Sequence, residues 1–321
     1  MDRFTLEIPI LGHIDICCKD IKLAEFAKRQ FFVYVNSEKE GIENSNSDYL
    51  VQITTQVDFA KCGLDAENGN RSRQFSVQNG EIRYRHIILQ RMDNGKIRLA
   101  VNGRVKREED IESCNGYPEY HSMFYDKILF PIFVLYAITN SCFLIHGSLL
   151  RLDKKIILIC GLDGVGKSTI TSELQRKGAK VLSDNFVLFN GENAIPLNLT
   201  MRLGVTQNTD MKVIYQDENL KEVVEIYRED NALKIDSIYL LGISELFSSD
   251  VKKINLFNLV LYLNNAPEIS SANTFIGPFL WNAEMSKTSA EIYKDITVLQ
   301  IPLGRLSEGV EVIWNDSKIV G

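Results

Sequence analysis

The sequence lacks a basic field. Its 321 residues carry 36 Lys and Arg against 42 Asp and Glu, a formal net charge of -6, so no run of phosphates can be neutralised and general nucleic-acid binding is disfavoured. It also lacks a metal or disulfide framework. The six cysteines, Cys17, Cys18, Cys62, Cys114, Cys142 and Cys160, form no C-x-x-C pair and have no histidine partner at ligand spacing, which reads as reduced thiols in a cytoplasmic protein. The opening "MDRFTLEIPILGHIDICC" places charges inside its apolar stretches, so no signal-type apolar core and no export are expected. Internal repeats and low-complexity segments are absent. One uncharged stretch, "ILFPIFVLYAITNSCFLI" at 128–145, reaches the length of a membrane span. Thr139, Asn140 and Ser141 break it in the middle, and a buried helix followed by a buried strand explains the same composition. No membrane association is expected.

What is present suggests two domains, since the length exceeds one small domain and 45% of residues are hydrophobic. From Phe4 to about Asn102, short alternating runs such as "YLVQITTQV", "RQFSVQNGEIRYRHIILQ" and "NGKIRLAVNG" are separated by turn residues. Asn79-Gly80 and Asn94-Gly95 suit the positive-φ positions of tight hairpins. An antiparallel meander over 1–116 follows. Residues 117–141 read as a connecting helix, and 142–321 as the second domain.

That domain opens with two strands around Asp153-Lys154-Lys155, then a helix from Lys167 to about Lys177 ended by Gly178. The strand "AKVLSD" and a hairpin on Asn190-Gly191 come next. Further strands are expected at "VVEIYR", "SIYLLGI", "NLVLYLN" and "ITVLQIPL", with short helices between them. The charged runs at 106–110 and 216–222 read as solvated faces, and Phe279 and Trp281 as core or lid.

The chemistry concentrates at 161–168. "GLDGVGKS" matches G-x-x-x-x-G-K-[ST] in full, a pattern that average residue usage would produce in about one chain of this length in a hundred. It follows an apolar strand and opens a helix, the arrangement that aims backbone N–H groups at an anion. Gly161, Asp163, Gly164, Val165, Gly166, Lys167, Ser168 and Thr169 are therefore the expected nucleotide-binding residues. Lys167 can reach β- and γ-phosphate oxygens, and the Ser168 hydroxyl can ligate Mg²⁺. Asp184, at the end of "KVLSD", should lie beside the loop, placed to hold the metal or accept a substrate proton. His146, in "LIHGS", closes an apolar strand, and its spacing alone favours a hydrogen-bonded core residue over a functional one. Arg202, in "PLNLTMRLG", could neutralise charge on a transferred phosphoryl group or form a surface ion pair.

The order "FPIFVLYAITN", "FLIHGSLL", "IILICGLDGVGKST", "KVLSDN" resembles the HPr kinase/phosphorylase superfamily over about 124–204. The resemblance implies an α/β P-loop kinase core related in fold to phosphoenolpyruvate carboxykinase, behind a separate β-rich N-terminal domain. It implies ATP with Mg²⁺ or Mn²⁺, and transfer of the γ-phosphoryl group to a hydroxyl, a Ser or Thr of a protein or peptide. His146, Lys167, Ser168 and Asp184 then fall on nucleotide, metal and acid/base positions, Arg202 falls on the following Arg-bearing strand, and relatives in the superfamily can be homo-oligomeric, which leaves the oligomeric state open. Family members usually show two adjacent acids where this chain has Asp184-Asn185. One carboxylate fewer weakens the hold on a divalent ion, which leaves an ATP-binding module without transfer as the second reading. A small-molecule kinase is the third, and the hairpin after "KVLSD" speaks against it.

Overall fold

The structure is a computed structural model that describes residues 2–8, 12–18, 25, 27, 34–36, 49–53, 75–78, 81–84, 87–91, 97–101, 129, 133, 137, 142–162, 164–197, 200–204, 211–216, 221–264, 292–302 and 304–318. The chain forms two compact units, residues 1–141 with 217–219 and 271–285 in one and 142–216, 220–270 and 286–321 in the other.

The first unit holds eight strands: β1 (Asp2–Ile8), β2 (Gly12–Cys18), β3 (Tyr34–Asn36), β4 (Tyr49–Ile53), β5 (Phe75–Gln78), β6 (Glu81–Tyr84), β7 (Ile87–Arg91) and β8 (Ile97–Val101). They pair antiparallel throughout, in the order β3-β1-β2-β4-β8-β7-β6-β5. Gln78 faces Glu81 across β5 and β6 and Arg91 faces Ile97 across β7 and β8; Asn79-Gly80 and Asn94-Gly95 lie outside the described residues. Leu129, Phe133 and Ala137, four residues apart, are buried, and no described helix is long and apolar enough to cross a membrane. The charged run 106–110 and Phe279 and Trp281 lie outside the described residues.

The second unit is mixed α/β. Its central hairpin joins β9 (Phe143–Leu152) to β10 (Lys155–Gly161) through Asp153 and Lys154, with Asp153 at φ 56, a conformation Asp tolerates. Both strands are nearly continuous apolar runs and are buried almost throughout, as strands covered on both faces must be. From β10 the chain passes into α1 (Lys167–Arg176), where Ile170, Thr171 and Leu174 are fully buried. Gly178 ends the helix at φ 107. Its N–H donates to Gln175 O at 2.8 Å and the Ala179 N–H to Leu174 O at 3.0 Å, closing the paired turn that a left-handed glycine permits.

Then come β11 (Lys180–Ser183), β12 (Phe186–Phe189), β13 (Asn193–Pro196), β14 (Met201–Leu203), β15 (Val213–Gln216), β16 (Glu222–Val224), β17 (Leu233–Lys234), β18 (Ser237–Ile243), β19 (Ser248–Asn255), α2 (Leu256–Asn264), β20 (Tyr293–Ile301) and α3 (Leu306–Lys318). The large sheet runs β17-β13-β12-β9-β10-β18-β20-β19, with β11 also paired to β9. Strands β10, β18 and β20 are parallel, while β9 and β19 are antiparallel to their neighbours. Strands β14, β16 and β15 form a small separate sheet. The helix α1 packs against α3, β14, β9 and β10.

The expected hairpin on Asn190-Gly191 is present. Gly191 sits at φ 98, and the Asn190 Oδ1 accepts the N–H groups of Glu192 at 3.0 Å and Asn193 at 2.7 Å. The expected strand "NLVLYLN" is instead part of α2. Leu256, Leu259, Val260 and Leu263 are buried, a spacing of three and four that only a helix brings to one side, whereas a short apolar run alone fits either element.

Candidate functional site

Strand β9 is where the site is built, because its partner changes halfway along. Residues 143–146 pair with β12 and residues 149–151 with β11, both antiparallel. Between β11 and β12 the chain turns at Asp184 and Asn185. The Phe186 N–H donates to Asp184 O at 2.9 Å, a three-residue γ-turn, and Asn185 at its centre has φ 69. Asn reaches that left-handed region at lower cost than most side chains. The Gly147 N–H donates to Asn185 O at 3.2 Å, and the Ser183 hydroxyl donates to Phe186 O at 2.8 Å while accepting the Leu197 N–H at 3.2 Å. This interruption re-aims the Asp184 side chain inward.

Asp184 is 3% exposed and Ser148 is fully buried. The Ser148 hydroxyl donates to Asp184 Oδ1 at 2.6 Å. Burial pushes the carboxyl above its ordinary value of 3.8, since a charged form loses hydration there. The Ser148 hydroxyl, the backbone N–H of Asn185, the charge of Lys167 and the backbone N–H of Arg202 pull the other way. A carboxylate has about four lone-pair positions. Three hydrogen-bond donors therefore leave roughly one for another ligand.

The loop 162–166 carries the β10 chain into α1. Gly161 has little room: a Cβ there would lie 2.8 Å from Leu241 O and 2.9 Å from the Val165 Cγ2. Gly166 is the N-cap of α1 at φ 94, with no side-chain cap and no acid in the first turn. The first N–H groups of α1 therefore have neither a side-chain cap nor an acid of their own turn to compete with a bound anion. The Lys167 side chain is buried and folds back over the loop, its Nζ donating to Gly161 O at 3.0 Å and Leu162 O at 2.8 Å. Leu306, at the start of α3, packs against Gly166.

Of the residues the sequence singles out, Lys167 and Asp184 come together, close enough for their charges to interact. Ser168 and Thr169 stand half-buried in the first turn of α1, Val165 is buried and Gly164 exposed at φ 77; Asp163 lies outside the described residues. Arg202 approaches differently from the expectation. It is on β14, half-buried, and what reaches Asp184 is its backbone N–H. His146 lies on β9 opposite Phe186, ring centroids 6.1 Å apart, and is half-buried. Two residues from Ser148, it shares that strand face.

Asp184 lies beside the loop as expected, although β9 lies between β10 and β11. Being antiparallel to both, β9 leaves those two strands parallel, with their C-terminal ends at one edge. The βαβ connection spans an inserted strand. Ser148 was missed altogether, although "HGS" holds a signal: the serine falls two residues from a histidine in an otherwise apolar strand, where a buried hydroxyl requires a partner.

Among the described residues, no three His, Cys, Asp or Glu side chains cluster as a metal site. Cys142 and Cys160 are buried free thiols; burial pushes Cys160 to about 12, far from the reactive range.

No protein-family model matches the chain, and no curated protein does. Among solved structures, the HPr(Ser) kinase/phosphatase from Coxiella burnetii is similar over 55% of this chain and 96% of that one, with 12% sequence identity and a TM-score of 0.25.

Proposed function

We propose that the chain is an ATP-dependent phosphotransferase of the P-loop, HPr kinase-like kind, acting on a hydroxyl, with a Ser or Thr of a protein or peptide as acceptor. The observation that carries this reading is the convergence of a buried lysine, an uncapped helix N-terminus and a buried carboxylate at one edge of a sheet. A lysine folded onto the carbonyls of its own loop is placed to exchange those contacts for phosphate oxygens, and the N–H groups of α1 supply the rest of an anion cradle.

The donors suit a hard divalent ion. One carboxylate with about one lone pair to spare, plus the Ser168 hydroxyl, is too little for a dedicated protein cage but matches Mg²⁺ or Mn²⁺ arriving on nucleotide phosphates. Ser168 and Asp184 are the residues that would hold it. Such an ion, when bound, neutralises the β- and γ-oxygens.

Asp184 orients the acceptor hydroxyl, which displaces one of its backbone N–H donors, and takes its proton as the acceptor oxygen forms a bond to the γ-phosphorus and the bond to the ADP oxygen breaks. A carboxyl whose burial raises its pKa is a stronger base than a solvated one. Lys167 balances charge on the phosphates. Arg202 contributes through its backbone N–H, by holding Asp184 in place, and His146 borders the site from β9.

The test is transfer of label from γ-labelled ATP, with Mg²⁺ or Mn²⁺, to components of a lysate of the source cell. Label transferred by the wild type and abolished in Lys167→Ala supports the reading; undiminished label in the variant refutes it. The second reading is an ATP-binding module without transfer, favoured by Asn185 replacing a second acid and by the hydrogen bonds already filling Asp184. It predicts ATP-dependent thermal stabilisation with no labelled product under either metal.

A further inference from the structure

The Ser148 hydroxyl is the one polar side-chain group in the stretch Leu149, Leu150, Ile145, Leu144 of β9 that is fully buried. It spends its donor on a carboxylate 36 residues away in sequence. A buried hydroxyl unable to find a partner costs stability, yet an apolar residue here would leave Asp184 with two backbone N–H donors and freedom to turn between them. The γ-turn fixes where the Asp184 backbone sits. It does not fix the plane of the carboxylate.

We propose that Ser148 is a positioning residue: its hydroxyl holds Oδ1 of Asp184 so that the carboxylate turns its remaining lone pair toward the divalent ion carried by the nucleotide. This rests on the phosphotransferase reading of the loop. The arrangement gives a single-acid site the orientation that a second carboxylate would otherwise help to impose. Three donors, one from β9, one from the turn at Asn185 and one from β14, approach the carboxylate from three segments of chain. Removing the β9 donor frees rotation about the side-chain torsions while the backbone stays in place. Ser148 therefore acts on the metal through Asp184 and contacts neither nucleotide nor acceptor.

The measurement is a Mn²⁺ titration by electron paramagnetic resonance, on the full chain with a non-hydrolysable ATP analogue, alongside analogue binding without metal. Ser148→Ala is expected to bind the metal-free analogue as the wild type does but to need at least about tenfold more Mn²⁺ for half-saturation, the loss of one hydrogen bond to a charged group. Ser148→Thr, which keeps the hydroxyl, should stay within about threefold of wild type. Unchanged Mn²⁺ demand in Ser148→Ala, or equal loss in Ser148→Thr, overturns the proposal. If Ser148→Ala does not fold, Ser148→Cys, a weak donor, carries the same expectation. Lys167→Ala separates the two layers of argument. Metal-free analogue binding that survives in Lys167→Ala defeats the reading of the loop, whereas binding lost there and kept in Ser148→Ala leaves that reading intact and isolates the role of Ser148. A wild type with no metal-dependent binding overturns both.

Discussion

Adding one methyl group to Gly147 should disrupt the site from the inside. A Cβ there would lie 2.5 Å from the Ile159 carbonyl oxygen, 3.3 Å from its carbon and 3.4 Å from the Cys160 Cα. Ordinary contact begins at 3.4 Å, so the oxygen and the methyl must separate by 3.4 - 2.5 = 0.9 Å. The obstacle is backbone. Ile159 pairs with Ser148 and Cys160 with Gly147 in the β9–β10 ladder, so neither strand can yield without disturbing its hydrogen bonds. Overpacking typically costs about 1–3 kcal/mol, and a backbone obstacle in a central hairpin places Gly147→Ala near the upper end. The same shift moves the Gly147 N–H away from Asn185 O, a 3.2 Å contact that anchors the turn carrying Asp184. Urea denaturation of wild type and Gly147→Ala should show a loss of about 2–3 kcal/mol, with a weaker ATP-dependent rise in melting temperature. A variant within about 0.5 kcal/mol of wild type would mean that the two strands do not approach as closely here as the account requires.

Three further outcomes follow from the same geometry. Asp184 binds its proton more tightly in the folded chain than in the unfolded one, so its contribution to stability falls as pH rises from 3.8 through the raised folded value, by at most about 1.4 kcal/mol per pH unit. Stability in denaturant titrations should therefore fall more with rising pH above 3.8 in wild type than in Asp184→Asn; identical pH profiles in the two proteins would contradict this. Gly166→Ala forces a side chain to φ 94 against Leu306 and should lose about 1–2 kcal/mol together with ATP stabilisation. Adding Leu306→Ala should recover little, because the backbone angle remains, and full recovery in thermal melts would show that the clash alone was responsible. At Asn185, with φ 69, Asn185→Gly should be within a few tenths of a kcal/mol of wild type and Asn185→Val lower by more than about 1 kcal/mol, read by thermal unfolding.

What could be read in the sequence was what depends on near neighbours. The loop, α1, its glycine stop and the Asn190-Gly191 hairpin each follow from residues within one turn or one strand of each other, where side-chain type dictates backbone angle. Asp184 was legible because it ends a strand one helix after the loop. Ser148 was not, since a serine in a buried strand announces a partner without naming it, and the partner is 36 residues on. The insertion of β9 between β10 and β11 is a pairing choice that no local pattern encodes. In α2, an apolar run was compatible with both periods until burial of Leu256, Leu259, Val260 and Leu263 resolved it. Strand β19, "SSDVKKIN", went unnoticed because most of its residues are exposed at the sheet edge, where charged residues protect against unwanted pairing and leave no alternation to read.

The central claim is that Asp184 takes a proton at a site whose phosphate cradle works without it. Single-turnover transfer from γ-labelled ATP to an identified acceptor, with ATP affinity measured on the same samples, separates the two functions in Asp184→Asn. In that variant ATP affinity without metal should match wild type, and transfer should fall by about 10²–10⁴-fold. Transfer at the wild-type rate by a variant that lacks the carboxylate would contradict it.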